Sequence, residues 1–241
     1  MQPAAGAYEG KAKRVTPLSP TEIAVYFKDD ATAFNGQKHA QFAGKGELNS
    51  LMTEALFGFL EKSGVRTHHL GRIDARTLRA RSLVMFPLEV VVRFKVAGSL
   101  EKRTGLAENT PCEPAVVELY LKNDALGDPI LNDDHVRLLK AATPAEVSTL
   151  RQMALDAATK LKRLCDKAGL DLVDLKLEYG KADGAILLAD EISPDTARLR
   201  DAKTGTILDK DRFRRDLGDL MEGYREIWAR LGRALAELPH V

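Results

Sequence analysis

The stretch from Asp171 to Asp201, DLVDLKLEYGKADGAILLADEISPDTARLRD, constrains this chain more than any other. Two apolar runs, Leu172–Tyr179 and Ala185–Ile192, flank Gly-Lys-Ala-Asp-Gly, a pattern that predicts a β-hairpin. Side chains alternate along a strand, so Asp174, Lys176 and Glu178 share one face. Val173, Leu175, Leu177 and Tyr179 share the other. A register that sets Glu178 opposite Ile186 also sets Lys176 opposite Leu188 and Asp174 opposite Asp190. A one-residue slip would send the second strand's side chains to the opposite face. Carboxylates gathered beside a lysine have two readings. Hard oxygen ligands next to an ammonium suit Mg²⁺ and a polyphosphate. A solvated, salt-bridged face of an amphipathic hairpin explains the pattern equally well. Ser193-Pro194-Asp195 then breaks the strand just after Asp190-Glu191, leaving those acids beside a loop that carries Arg198. Strand ends and the loops after them are where sites are usually built.

With 241 residues the chain can form one large domain or two small lobes sharing a cleft. A net charge of +1 gives no support for a nucleic-acid or membrane partner, so anion recognition has to come from local clusters. Cys112 and Cys165 are too few and too far apart for a disulfide framework or a CxxC metal site, and Cys165 falls on the apolar side of a helical pattern. No signal peptide or spanning apolar run is seen, and the expected location is the cytoplasm.

Local clusters are present. Tyr8–Val15 and Glu22–Lys28 read as two strands joined around Pro17–Pro20, with Lys11 and Lys13 on one face behind Gly10. That hairpin could lie over a nucleotide's phosphates, or could be an edge protected by lysines. A polar loop over Lys28–Lys45 leads to a helix from about Glu47 to Ser63, and Gly44-Lys-Gly at its entry is a weak anion signal. Thr67–Gly71, Thr77–Arg81, Pro87–Val96 and Val116–Leu121 read as strands. Arg93 and Ser99 offer a fork and a hydroxyl to a phosphate or carboxylate, or Arg93 pairs with a neighbouring acid. Lys122-Asn-Asp124 and Asp128 follow the last of these strands. Asp133–Leu139 reads as a short helix, and Thr143-Pro-Ala-Glu146 as the capping box of a long one ending at Gly169. The final helix is expected to open over Leu208–Arg215, with Arg212, Arg214 and Arg215 unfavourably placed at its start.

Taken in order, YEGKAKRV, KDDATAFNGQK, GKGELN, VVVRFKVAGSLEKR, LKNDALGDP, DLKLEYG, LADEISPDTARLRD and LDKDRFR closely resemble one family, the SAICAR synthetases (phosphoribosylaminoimidazole-succinocarboxamide synthases). The resemblance runs from about Tyr8 to the final helix. It implies an α+β, two-lobed fold: an N-terminal antiparallel β-rich, kinase-like lobe over residues 1–110 and a C-terminal α/β, ATP-grasp-like lobe over 111–241. It implies a ligase that uses ATP to join the carboxylate of carboxyaminoimidazole ribonucleotide (CAIR) to L-aspartate through an acyl phosphate, with Mg²⁺. By the same resemblance Lys11, Ala12, Lys13, Val15 and Lys122 fall at the ATP site, and Glu178, Asp190 and Asp128 at the metal. Arg93, Ser99 and Arg198 match the ribonucleotide site, with Lys210 and Arg214 beside it; Lys176, with Glu178 and Asp190, would serve catalysis. The aspartate subsite is sought in Asp30–Lys38 and in the loop after Ser193. Two departures stand out: Arg200 where the family commonly has Trp, and Phe94 where Asn is frequent. The rivals are a small-molecule kinase on the related scaffold, which needs no aspartate, and a non-catalytic nucleotide-binding module. Assembly is unread beyond a possible homodimer.

Overall fold

The computed structural model describes residues 7–33 and 36–238. A short hairpin opens the chain, β1 (Tyr8–Glu9) and β2 (Lys13–Pro17), followed by β3 (Glu22–Phe27). The expected single strand over Tyr8–Val15 is therefore two, because Tyr8 pairs with Val15 and the chain reverses at Gly10-Lys11-Ala12. Lys11 sits in the turn, so alternation does not align it with Lys13. A small ribbon comes next, β4 (Asp30–Ala33) with β5 (Lys38–Gln41), where the sequence suggested a loop. Helix α1 (Lys45–Lys62) leads to β6 (His69–Asp74) and β7 (Thr77–Arg81). These strands complete a five-stranded antiparallel sheet in the order β1-β2-β3-β7-β6.

The second sheet is built on β8 (Val84–Lys95). After α2 (Ser99–Thr104) come β9 (Pro111–Leu121), β10 (Ile130–Leu131), α3 (Asp133–Leu138) and α4 (Pro144–Lys167). Thr143 caps α4 with the reciprocal Glu146 bonds that the sequence predicted. The central stretch then supplies β11 (Leu170–Ala182), β12 (Ala185–Ala189) and β13 (Ala197–Asp201). Strand order is β10-β9-β8-β11-β12, with β13 also on β11. This sheet draws β8 from the first 110 residues and its other strands from the remainder.

The hairpin register differs from the expected one. Asp183 and Gly184, with φ of 50° and 75°, form a two-residue turn of the primed kind, and Ala182 pairs with Ala185. Glu178 therefore faces Ala189, three residues on from Ile186. An odd shift turns β12 over, so alternation alone would point Asp190 away from Glu178. Asp190 reaches the same side because β12 ends at Ala189 and Asp190 takes a left-handed φ of 64°. Along the far edge of β11, β12 covers Glu178–Ala182 and β13 covers Leu170–Leu175. The chain leaves the edge at Asp190 and rejoins it at Ala197, with Lys176 N donating to Thr196 O across the seam at 2.8 Å.

Leu175, Leu177 and Tyr179 pack with α4, α1 and the last helix, α6 (Leu220–Ala236), in the main core, as does Cys165. The expected long terminal helix is two. A four-residue helix, α5 (Asp211–Arg214), ends where Asp216 and Gly218 take positive φ, and α6 starts afresh under an Asp219 cap. Arg212, Arg214 and Arg215 thus do not stand at a long helix's positive end. Helix α1 meets the first sheet without clearance: a Cβ on Gly46 would lie 2.3 Å from the Phe27 carbonyl oxygen. Gly46→Ala is expected to cost about 1–3 kcal/mol and to lower the melting temperature by several degrees; an unchanged melt would contradict this contact.

Candidate active-site cleft

Between the two sheets lies a cavity of about 660 Å³, lined by Lys11, Ala12, Lys13 and Val15 from the first hairpin and by Lys122 and Asp128 beyond β9. Lys176 and Glu178 from β11, Asp190 at the end of β12, and Lys210 and Arg214 around α5 complete its charged wall. An adjoining hollow of about 300 Å³ holds Arg93, Ser99 and Arg198, and shares Asp128, Lys176 and Arg214 with the first. Every residue that the family resemblance assigns to the ATP, metal, ribonucleotide or catalytic positions thus borders one of two adjoining spaces.

The wall is a run of alternating charge. Lys13 Nζ bonds Asp190 and lies 2.9 Å from Glu191. Lys122 Nζ bonds Glu178 Oε2, while Lys176 Nζ bonds Glu178 Oε1 at 2.9 Å and Glu89 at 2.8 Å. Glu178 is 2% exposed, so the solvated-face reading of the hairpin fails. Burial alone would lower Lys13 and Lys176, but the surrounding carboxylates, Asp190 first for Lys13 and Glu178 first for Lys176, hold both above the usual lysine range. Burial would raise Asp190; Lys13, Lys176 and Lys122 outweigh it and keep the acid ionised well below the usual range. Asp128, at a left-handed φ of 49°, accepts the Asn123 N–H at 2.8 Å.

In the second space Arg93 is 3% exposed and all five of its N–H donors are engaged. They reach Glu118 at 2.7 Å, Asp174 at 2.6 Å, Ala97 O at 3.3 Å, Ser99 Oγ at 2.9 Å and Tyr120 Oη at 3.0 Å. Asp174 Oδ2 also accepts from Arg198 Nη1 at 2.7 Å, and Arg198 Nε donates to Asp211 at 3.0 Å. The sequence assigned Asp174 only to the charged face of β11, with no role of its own. Asp174 joins two arginines instead, because Arg93 and Arg198 flank it in register on β8 and β13. Gly98 lets Arg198 approach: a Cβ there would lie 2.5 Å from the guanidinium.

Lys45 of the Gly-Lys-Gly entry is fully buried and bonds Asp195, so it forms a strut rather than an open anion site. Asp195 also accepts from Asn49 at 2.9 Å and from Tyr224 at 2.6 Å. Burial opposes ionisation of Asp195, yet Lys210 and Lys45 hold it below the ordinary range. A carboxylate depressed on folding stabilises the fold above its unfolded pKa and loses that contribution as pH falls through its folded one. Asp190 and Asp195 are both of this kind, so stability is expected to drop as pH falls below about 4. Thermal melts from pH 6 to pH 3 check this, and a flat profile sinks it.

Glu89 and His68 escaped the sequence reading. Glu89 lies opposite Glu178 in the β8–β11 register, and burial raises its pKa, partly offset by Lys176. Its signal was present: it stands four residues before Arg93 on the same strand face. His68 also lines the cleft, its pKa lowered to about 4 by burial. Asp195 sat in plain view within Ser-Pro-Asp, but its lysine partner comes from 150 residues away. Of the proposed aspartate segment, Phe34 and Asn35 lie outside the described residues. Arg200 is buried and bonds Glu108 at 2.6 Å and Asn109, with Arg215 on the same Glu108. Phe94 lies under Lys162, whose Nζ is 5.7 Å from the ring centre.

Fold and cleft together define a two-sheet α/β enzyme scaffold suited to holding polyanionic small molecules. Residues 6–231 match the family model described as SAICAR synthetase. A phosphoribosylaminoimidazole-succinocarboxamide synthase of an Exiguobacterium species is 50% identical over 226 residues, covering 93% of this chain and 97% of that one. A solved SAICAR synthetase in complex with ADP superimposes with a TM-score of 0.92 at 47% identity, covering 98% of this chain and all of the other. The enzyme from Pyrococcus horikoshii does so with a TM-score of 0.89 at 46% identity, over 95% of this chain. The chain belongs to the SAICAR synthetase family.

Proposed function

We propose that the two contiguous spaces are the ATP and ribonucleotide halves of one ligase site, in which CAIR and L-aspartate are joined to give SAICAR, ADP and phosphate. The observation that carries this reading is the alternating run Glu191–Lys13–Asp190 and Lys122–Glu178–Lys176–Glu89, which lines the cleft beside an arginine pair with a hydroxyl. A carboxylate is a poor acyl donor, and phosphorylation by ATP makes it a good one. Little covalent chemistry then falls to the protein, and positioning with charge neutralisation does the rest.

In this reading Lys13 and Lys122, with Lys11 in the hairpin turn, take the phosphates, while Ala12 and Val15 border the nucleotide. Ser99, Arg198 and Arg214 face the ribonucleotide; Arg93, whose donors are all engaged, fixes Ser99 and Tyr120 for that contact. Mg²⁺ fits the donor set. Among the described residues no group of three or more acids, histidines or cysteines is arranged around a metal site. Mg²⁺ characteristically uses one or two carboxylates, several waters and the substrate's phosphates. Glu178 and Asp190 would supply those carboxylates, with Asp128 near. The bound ion would neutralise phosphate charge. If polyphosphate draws Lys13 and Lys122 onto itself, Asp190 loses its bonded lysine and Glu178 one of its two. Lys176 stays between Glu178 and Glu89 and holds them in place.

Among the described residues no helix is long and apolar enough to cross a membrane. Cytoplasmic work on small molecules, without nucleic acid, belongs to the same proposal. So does a homodimer, supported by the exposed Leu126, Ile130 and Leu138 on neighbouring segments beside β9. Purified protein with CAIR, ATP and Mg²⁺ is expected to release ADP productively only when L-aspartate is present, with succinocarboxamide formed one for one. ADP release indifferent to aspartate, with no condensation product, would instead favour the kinase reading.

A further inference from the structure

Three of the cleft's lysines are locked to acids: Lys13 to Asp190, Lys122 to Glu178, and Lys176 to Glu178 and Glu89. Lys210 is different. Its Nζ makes no hydrogen bond among the described residues, and Asp195 Oδ1 stands 3.8 Å away. That oxygen already accepts from Tyr224, and the other oxygen of Asp195 is shared by Lys45 and Asn49. The nearest acid to Lys210 thus gives its hydrogen bonds to other groups and meets Lys210 only as a 3.8 Å ion pair. Lys210 is itself 9% exposed, starts α5, and lines the main cavity next to Thr196 and Arg214, which border both spaces.

We infer that Lys210 is the base that accepts a proton from the incoming amine during ligation, an assignment resting on the ligase reading above. The amine arrives as an ammonium and must lose a proton before its lone pair can attack. The neutral form of Lys210 Nζ, whose share burial increases, takes that proton. The lone pair then forms the C–N bond to the acyl carbon, and the C–O bond to phosphate breaks with its electron pair leaving on phosphate. The second amine proton departs with the phosphate, and Lys210 returns its own to solvent.

Electrostatics around Lys210 suit the role. Burial lowers its pKa; Asp195, and more weakly Glu191, oppose this, while Lys45 from α1 and Arg214 from α5 lower it further. Tyr224 from α6 is held in its neutral form by burial and by Asp195, so it adds no charge. A lysine brought down by burial and neighbouring cations is the form in which lysine works as a general base.

The test compares Lys210→Met and Lys210→Arg with two nucleophiles, L-aspartate and hydroxylamine, which is neutral near pH 7 and needs no base. Both variants are expected to lose 10²-fold or more in kcat with aspartate, with KM for aspartate within a few-fold of wild type. ADP release coupled to hydroxamate formation should fall by less than tenfold, and added methylamine should partly restore aspartate ligation to Lys210→Met. Retention of aspartate turnover by Lys210→Arg within threefold of wild type overturns the assignment, since charge alone would then suffice. So does a loss confined to KM, or an equal loss with both nucleophiles. A variant without a melting transition is replaced by Lys210→Gln. Failure of the wild-type enzyme to form any succinocarboxamide would overturn the ligase reading itself, a result distinct from the others.

Discussion

Asp190→Asn is expected to lower kcat by about 10²–10³-fold while leaving the melting temperature within a few degrees of wild type. The separation follows from where Asp190 stands. Its backbone adopts a left-handed φ of 64° at the end of β12, a conformation that Asn tolerates nearly as well as Asp. The turn into the seam of the sheet is therefore kept. What disappears is the charge. Lys13 retains Glu191 at 2.9 Å, so no lysine is left buried without an anion, and the fold loses one partner of several. The chemistry has no such reserve, because the carboxylate that would sit with the metal and phosphates is gone. Parallel measurement of SAICAR formation and of thermal unfolding decides the matter. Near-normal turnover would remove Asp190 from phosphate chemistry, and a collapsed melt with proportional loss of activity would make it structural.

A buried network of opposite charges is in itself weak support for stability, since desolvation consumes much of the attraction. Lys13, Glu178 and Asp190 are thus better explained by the roles proposed for them than by what they hold together. That distinction marks what was legible in the sequence. Apolar alternation set Leu175, Leu177 and Tyr179 against the core, and the capping box fixed the start of α4, because both signals are local. Grouping the cleft residues required the family resemblance, since Lys13, Lys122 and Glu178 meet only through three separate strands. The hairpin register was missed for a local reason: Asp183-Gly184 closes a tighter turn than five residues suggest, and the positive φ of Asp190 then reverses the consequence. The break between α5 and α6 was missed because Asp216 and Gly218 lie within a pattern whose apolar spacing runs straight through them. Pairings such as Lys45 with Asp195 leave no local trace at all.

Asp174→Ala is expected to be the most damaging single change to stability in the second sheet, at about 3–5 kcal/mol. Asp174 is 4% exposed, and a single oxygen of it accepts from Arg93 at 2.6 Å and from Arg198 at 2.7 Å. Removing it sets two guanidiniums against each other across a cavity with half of their compensation gone. Glu118 remains for Arg93 and Asp211 for Arg198, which limits the damage but does not cancel it. At about 2–4 °C per kcal/mol for a chain of this size, the melting temperature should fall by roughly 10 °C. Asp174→Asn keeps the volume and one acceptor but removes the charge, and should lie between wild type and Ala. The two arginines would still fold into place in Asp174→Asn at low temperature, yet without the shared anion their spacing relaxes. Affinity for the ribonucleotide is then expected to weaken about tenfold or more, corresponding to 1.4 kcal/mol or above, while ATP affinity at the far end of the cleft stays close to wild type. Calorimetric titration of each substrate into Asp174→Asn separates these outcomes. Equal loss of both affinities would mean that the clamp supports the whole cleft, and unchanged CAIR binding would show that Arg93 and Arg198 hold their places without Asp174.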